Sequence, residues 1–134
     1  MSNSIVIELQ HAPPSLNNIY ANVSGKGRVK TKRYRTWRAA AGWDVNAAKV
    51  EQLSGPVLLD LTVAKPRGTR SDISNRVKAA EDLLVFMNVL VDDSQVQEVH
   101  VRWGDVKGAR IELMPLDLLT SVDNVPRETA VADA

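Results

Sequence analysis

Three aspartates and a lysine within one short stretch could perform metal-assisted phosphate chemistry. Asp72 precedes a predicted helix, Lys78 lies one turn into that helix, and Asp92 and Asp93 precede a predicted strand. Mg²⁺ takes oxygen ligands, usually one or two carboxylates with water and substrate phosphate. Such an ion activates water and stabilises charge during phosphodiester displacement, while a lysine can hold the scissile phosphate. Beside a basic segment that holds phosphates, such a combination would be nuclease-like.

Each of these residues also has an ordinary structural interpretation. Asp72 could cap the helix, and the two later aspartates could form a turn before the strand. Lys78 could be a solvated helix lysine paired with Glu81 or Asp82. Taken singly, the structural roles are favoured. Taken together, acids at the ends of elements separated by one helix favour convergence on a single point.

A basic segment precedes these acids. No acidic residue lies between Glu8 and Asp44. That interval contains Lys26, Arg28, Lys30, Lys32, Arg33, Arg35 and Arg38. Lysine and arginine would supply salt-dependent affinity for phosphates, and the interleaved Tyr34 and Trp37 could stack on exposed bases. At helical spacing, however, Trp37 is more typical of a core.

Composition indicates one small globular domain. The chain has 134 residues, of which 44% are hydrophobic and 25% charged, as in ordinary soluble proteins. Residues 1–116 carry a net charge of +4 and residues 117–134 one of −3, and we expect the latter to form a poorly ordered tail. The absence of cysteine excludes disulfides and argues against a zinc site. No signal peptide or membrane span is recognised, which favours the cytoplasm.

The pattern of apolar residues predicts an α/β domain with the order β, α, β, α, β, β. Strands are predicted at 4–10, 57–64, 96–103 and 109–115, and helices at 31–52 and 74–85. The last two strands are joined by GDVKG and are predicted to form a hairpin. The Gly-rich basic segment before the first helix is predicted to be a mobile loop. This order suggests a mixed sheet with two main helices largely on one face.

Three motifs in this order resemble the RusA family of Holliday junction resolvases, which is common in phages and prophages. PPSLNNIY (13–20) is similar to the family's Pro-Pro-Ser-x-Asn-x-x-Tyr segment. DISNRVKAAEDLL resembles the pattern Asp-x-Asp-Asn-x-x-Lys-x-x-x-Asp-x-Leu, and VDDSQVQEV resembles Asp-Asp-x-Gln-Val. The resemblance covers nearly all of residues 4–115.

The resemblance implies a RusA-like fold and a homodimeric endonuclease that cuts four-way DNA junctions symmetrically, in recombination or repair. It implies Mg²⁺, with Mn²⁺ as a substitute, held by Asp72, Asp92 and Asp93, with Lys78 at the scissile phosphate. A two-fold substrate suits two active sites related by a two-fold axis. The following residues would hold the DNA: Lys26, Arg28, Lys30, Lys32, Arg33, Arg35, Lys65, Arg67, Arg70 and Asn75.

One position departs from the family pattern. Ser74 stands where the family has its second aspartate, and a hydroxyl is a much weaker Mg²⁺ ligand than a carboxylate. Activity could therefore be weakened or lost, leaving a non-catalytic protein that binds branched DNA. Alternatively, Glu81 could replace the missing carboxylate, because it lies on the same helical face as Ser74 and three residues after Lys78. A third interpretation is a purely structural or protein-interaction domain.

Overall fold

The computed structural model describes residues 4–16, 19–67 and 72–116. The elements are β1 (Ile5–Leu9), β2 (Tyr20–Val23), β3 (Gly27–Lys30), α1 (Lys32–Ala48), β4 (Val57–Ala64), α2 (Val77–Phe86), β5 (Val96–Gly104) and β6 (Ala109–Pro115). Two short 3₁₀ turns, Ile73–Arg76 and Asp93–Gln95, precede α2 and β5. The predicted tail, 117–134, lies outside the described residues.

A four-stranded mixed sheet forms the centre of the domain, in the order β1-β6-β4-β5. β4 is parallel to β5 and antiparallel to β6, which is in turn antiparallel to β1. Parallel neighbours require a crossover connection, and α2 provides it between β4 and β5. The α/β class, the mixed sheet and the two main helices are confirmed.

The core lies on one face of this sheet. In β4, Val57, Leu59, Leu61 and Val63 are fully buried or nearly so, while the alternate residues are half-buried. The buried side chains of α1 and α2 belong to the same core cluster. The opposite face carries ion pairs and is called here the open face. The expectation of helices on one face is therefore consistent with this burial.

The last two strands do not pair with each other as a hairpin would. β5 and β6 are connected through residues 105–108 and run antiparallel, but β4 lies between them and bonds to both. The apolar β4 strand occupies the central position because pairing on both sides satisfies its backbone and buries its core face. The expected direct hairpin pairing is thus corrected to two strands that flank β4.

The basic segment predicted to be a mobile loop forms a two-stranded antiparallel hairpin, so that prediction was wrong. Tyr20 pairs with Lys30 and Val23 with Gly27. Gly25 and Gly27 adopt φ of 81° and 75°, a conformation that favours glycine and that the tight turn requires. The glycines that suggested mobility therefore make the turn.

Both helix predictions need adjustment at their ends. α1 begins after Thr31, whose Oγ1 accepts a hydrogen bond from the Tyr34 amide at 3.1 Å. It stops at Ala48 because Lys49 enters the left-handed region with φ 52°, so residues 49–52 are not helical. The predicted second helix begins as the 3₁₀ turn Ile73–Arg76 and becomes α-helical only at Val77.

Candidate active site

Lys78 lies at the centre of a group of acidic side chains. Its Nζ is 3.3 Å from Asp93 Oδ2 and 3.4 Å from Asp82 Oδ1. Partial burial lowers the pKa of Lys78, but Asp82 and Asp93 outweigh that effect and raise the pKa above its ordinary value. The lysine therefore keeps its positive charge at neutral pH. The contact with Asp82 is the pairing within the helix that the structural interpretation of Lys78 predicted. The contact with Asp93 joins Lys78 to the second acidic motif, as the interpretation of a metal-assisted site required.

Glu81 belongs to the same group. Burial raises the pKa of its carboxyl, Lys78 lowers it, and Asp93 and Asp82 raise it further, with a net increase. Such coulombic effects act over several ångströms, so Glu81 lies within electrostatic range of Lys78, Asp93 and Asp82. We call Glu81, Asp82 and Asp93 around Lys78 the acidic group.

Asp82 contributes a buried oxygen to this group. Its Oδ2 is buried and has no hydrogen-bond donor among the described residues, while its Oδ1 faces Lys78. A buried acceptor without a donor costs about 1–3 kcal/mol. The oxygen is thus an acceptor that remains available beside Lys78 for a donor or a cation. The sequence interpretation had considered Asp82 only as a possible partner of Lys78 on the helix surface.

Asp72 stands apart from the acidic group in its contacts. It is exposed, and its Oδ1 accepts a hydrogen bond from Ser74 Oγ at 3.0 Å. Its side chain does not cap the following turn, although its backbone carbonyl accepts from the Asn75 amide at 3.1 Å. Ser74, the departure from the family pattern, therefore orients the Asp72 carboxylate.

Asp92 has a structural role before β5. Its Oδ2 accepts from the Ser94 amide at 2.9 Å, and its own amide donates to Gln95 Oε1 at 3.1 Å, which completes a capping box. Hydrogen bonds from Ser94 lower the pKa of Asp92. Gln95 also donates to the backbone carbonyls of Leu53 and Gly55. This turn fixes the position from which Asp93 reaches Lys78.

The donor chemistry of these residues suits Mg²⁺, although the ligands are not gathered. Within the described ranges, no three acidic or histidine side chains come close enough together to hold one ion. Mg²⁺ needs only one or two protein carboxylates when water and substrate phosphate complete its coordination. Glu81 and Asp93 are the candidates for such a pair, and Asp72 precedes the 3₁₀ turn that leads into α2.

The residues predicted to hold DNA surround the start of α1 and the end of β4. Lys26 lies in the hairpin turn, Arg28 and Lys30 lie on β3, and Lys32, Arg33 and Arg35 lie in the first turn of α1. The Arg28 guanidinium stacks 4.2 Å from the centre of the Tyr20 ring. Lys65 and Arg67 follow β4 and are exposed, and Asn75 is half-buried. Arg70 is outside the described residues.

The aromatic residues of the basic segment belong to the core. Tyr34 is fully buried and Trp37 is 7% exposed, so the interpretation of these two rings as base-stacking platforms was wrong. Burial and the nearby Asp82 raise the pKa of Tyr34 to about 12. Trp37 Nε1 donates to the His11 carbonyl at 3.0 Å, which joins α1 to the segment after β1.

The sequence interpretation did not select Arg76, which lies beside the predicted site. Its Nη1 donates to the Pro13 carbonyl at 2.8 Å across the domain. No spacing signal identifies this residue, because its position depends on the fold bringing residues 13 and 76 together.

Comparison with known proteins identifies the family of the chain. The structure is that of a small α/β protein with carboxylates and a lysine close together beside α2. The model of the RusA endodeoxyribonuclease family matches residues 11–114, and the chain belongs to this family. Membership implies Holliday junction resolvase activity, that is, a nuclease acting on branched DNA. A search of curated proteins gave no match. No helix among the described residues has the length and apolar character needed to span a membrane.

Proposed function

We propose that this protein is a Mg²⁺-dependent endodeoxyribonuclease that resolves four-way DNA junctions by paired, symmetric cleavage. The observation that carries the proposal is the approach of Asp93 to within 3.3 Å of Lys78, beside Glu81, in a chain of the RusA family. Residues far apart in sequence thus place carboxylates and a fixed cation at one point. This pairing suits a reaction that needs both a metal ion and a contact to the scissile phosphate.

In this proposal, Asp93 and Glu81 hold the ion together with Asp72, and Mn²⁺ can replace Mg²⁺. The bound ion supplies water activation and charge stabilisation. Lys78 exchanges part of its contact with Asp93 for the scissile phosphate. Ser74 keeps the Asp72 carboxylate oriented through its hydroxyl. Asp92, whose Oδ2 is occupied by the cap, acts mainly by positioning Asp93.

The half-buried Glu81 supports its assignment as the compensating carboxylate. Burial raises the pKa of Glu81, and the charges of Asp93 and Asp82 raise it further against the opposing effect of Lys78, so the anion is disfavoured at this position. A divalent cation would relieve this repulsion. Ser74 cannot supply that charge, so Glu81 would take over the role of the family's second aspartate.

The hairpin of β2 and β3, together with the first turn of α1, would hold the arms of the junction. Its cations are exposed or half-buried and belong to a two-stranded sheet separate from the main one. A homodimer would present two such surfaces and two acidic groups to a two-fold substrate. Symmetric incision in recombination or repair would follow from that arrangement.

Cleavage of a synthetic four-way junction tests this proposal. The wild-type protein should make symmetric nicks with Mg²⁺ or Mn²⁺ but not with Ca²⁺, and a linear duplex of the same sequence should remain largely intact. Asp72→Asn should bind the junction in Ca²⁺ and cut it poorly in Mg²⁺. Equal cutting of junction and linear duplex would contradict junction selectivity.

The second candidate function is a non-catalytic protein that binds branched DNA. The observation that favours it is Ser74 at the position of a family metal ligand, together with the dispersed carboxylates. Tight, salt-sensitive junction binding without incision in any divalent metal would establish this function and exclude the enzyme.

A further inference from the structure

A cleft of about 400 Å³ lies between the segment after β1, the first turn of α1 and the end of β4. Three cations line it, namely Arg33, Lys65 and Arg76, and none of its described lining residues is acidic. Trp37, Pro14 and Pro66 form apolar walls. The cleft is thus basic at its polar positions and otherwise apolar.

Arg76 is the most constrained of the three cations. It is half-buried, and the hydrogen bond from its Nη1 to the Pro13 carbonyl fixes the guanidinium. Burial lowers the pKa of Arg76, and the nearby Arg33 lowers it further. A half-buried guanidinium beside a like charge is unfavourable and favours an anion in the space between them.

Other arginines of the chain show the contrasting situation. On the open face, Arg102 contacts Asp60 at 2.6 Å and Arg110 contacts Glu8 at 2.7 Å. Those carboxylates raise the pKa of each arginine. In the cleft, Arg33 and Arg76 are instead electrostatic neighbours of each other.

We propose that this cleft binds one backbone phosphate of nucleic acid, with Arg33, Lys65 and Arg76 contacting the phosphate oxygens. The inference rests on the proposed function and adds Arg76 to the binding surface. Guanidinium groups suit phosphate because their planar donors match its oxygens. The proline and tryptophan walls suit the apolar faces of the flanking sugars. Arg76 precedes Lys78 by two residues. The phosphate bound in the cleft would therefore belong to the DNA strand that contacts the acidic group, or to DNA directly beside that group.

The salt dependence of junction binding tests the cleft. Each phosphate neutralised by the protein contributes about one to the slope of log K against log salt concentration. Arg76→Met should lower the slope by about one and weaken binding by about 10-fold at low salt. Arg33→Met should act in the same direction. Arg76→Lys should largely recover the slope, because it keeps the charge. Binding is measured in Ca²⁺ with the full chain and a four-way junction.

Controls separate charge from folding. Arg110→Met removes an arginine from the open face and should leave the slope unchanged. Thermal unfolding of each variant detects loss of the Pro13 contact, which would change stability but not the salt slope. If Arg76→Met does not fold, Arg33→Met gives the same readout from an exposed residue.

The outcomes distinguish the cleft from the function. Slopes reduced in Arg76→Met and Arg33→Met, and unchanged in Arg110→Met, support the cleft. Wild-type slopes in both cleft variants would overturn it while the proposed function stands. Failure of the wild-type protein to bind any junction would overturn the proposed function and, with it, nucleic acid as the source of the phosphate.

Discussion

Lys78 and Arg76 lie two residues apart, yet their surroundings are opposite. Lys78 faces Asp82 and Asp93, which raise its pKa. Arg76 faces Arg33, and its pKa is lowered by burial and by that second cation. The acidic group has more negative than positive charge, whereas the cleft has positive charge alone among its described lining residues.

This contrast indicates which ligand each region suits. The acidic group would be stabilised by a further cation, and the cleft by an anion. A nucleic acid with a bound divalent metal supplies both, because the phosphate backbone is anionic and the metal is shared with the scissile group. The change from 3₁₀ to α-helix at Val77 separates the two regions and helps to direct Arg76 and Lys78 to different surroundings.

Removal of Lys78, the cation shared by the acidic group, should have the largest effect on cleavage. Lys78→Met leaves the carboxylates of the acidic group without their shared cation and removes the proposed phosphate contact. We expect cleavage of the junction in Mg²⁺ to fall by at least about 100-fold. Single-turnover rates at saturating protein measure this change. Lys107→Met, at an exposed position in the turn between β5 and β6, is a matched control that should cut normally. A Lys78→Met rate near that of the wild type would remove Lys78 from the chemistry.

Moving the carboxylate from position 81 to position 74 tests whether Glu81 replaces the second aspartate of the family pattern. Glu81→Gln should reduce Mg²⁺-dependent cleavage by about 10- to 100-fold, because one proposed metal contact loses its charge. Ser74→Asp restores the carboxylate that the family pattern has at this position. The double variant Ser74→Asp with Glu81→Gln should therefore recover much of the activity. Recovery in the double variant, measured against each single variant, distinguishes metal binding from a structural role of Glu81.

The smallest expected effect concerns stability. The pKa of Glu81 is raised in the folded protein, so its protonated form is favoured there. The resulting stabilisation is fully present below the ordinary pKa of 4.5 and is lost as the pH rises through the raised pKa. At neutral pH without metal, Glu81→Gln should be more stable than the wild type by less than about 1 kcal/mol, given solvent screening. Urea unfolding measures the difference.

Two further conditions check that stability result. The difference should vanish at about pH 4, where the glutamate is largely neutral. Mg²⁺ should reduce or reverse the difference in the free energy of unfolding between Glu81→Gln and the wild type, because a bound cation favours the wild-type carboxylate. A Glu81→Gln variant that is less stable than the wild type at neutral pH would contradict electrostatic repulsion within the acidic group.

The regular elements could be predicted where a local pattern determines them. β4 and β6 have the predicted bounds because alternating apolar residues are enclosed by Gly and Pro signals. The β2–β3 hairpin was missed because its strands are short, polar and mostly exposed. Direct pairing of β5 with β6 was expected from their short connection, but insertion of β4 between them is a long-range event that a local turn signal does not reveal.

The residues of the candidate site likewise divide into those that a local pattern predicts and those that only the fold brings together. Lys78 and Asp93 were predicted from helix spacing and motif, and the structure brings them together. A turn at Asp92 was available as a structural interpretation, and the capping box found there supports that role. Arg76 could not be selected from the sequence, because its environment is made by Pro13 and Arg33 from distant segments.

Cleavage of a four-way junction by Asp93→Asn tests the central claim most directly. The measurement is the single-turnover rate in Mg²⁺ at saturating protein, with junction affinity in Ca²⁺ determined on the same preparation. We predict that Asp93→Asn binds the junction at least as tightly as the wild type, because it removes a negative charge, and that its rate falls at least about 100-fold. A variant that cuts both strands at the wild-type rate would contradict the assignment of the acidic group as the active site.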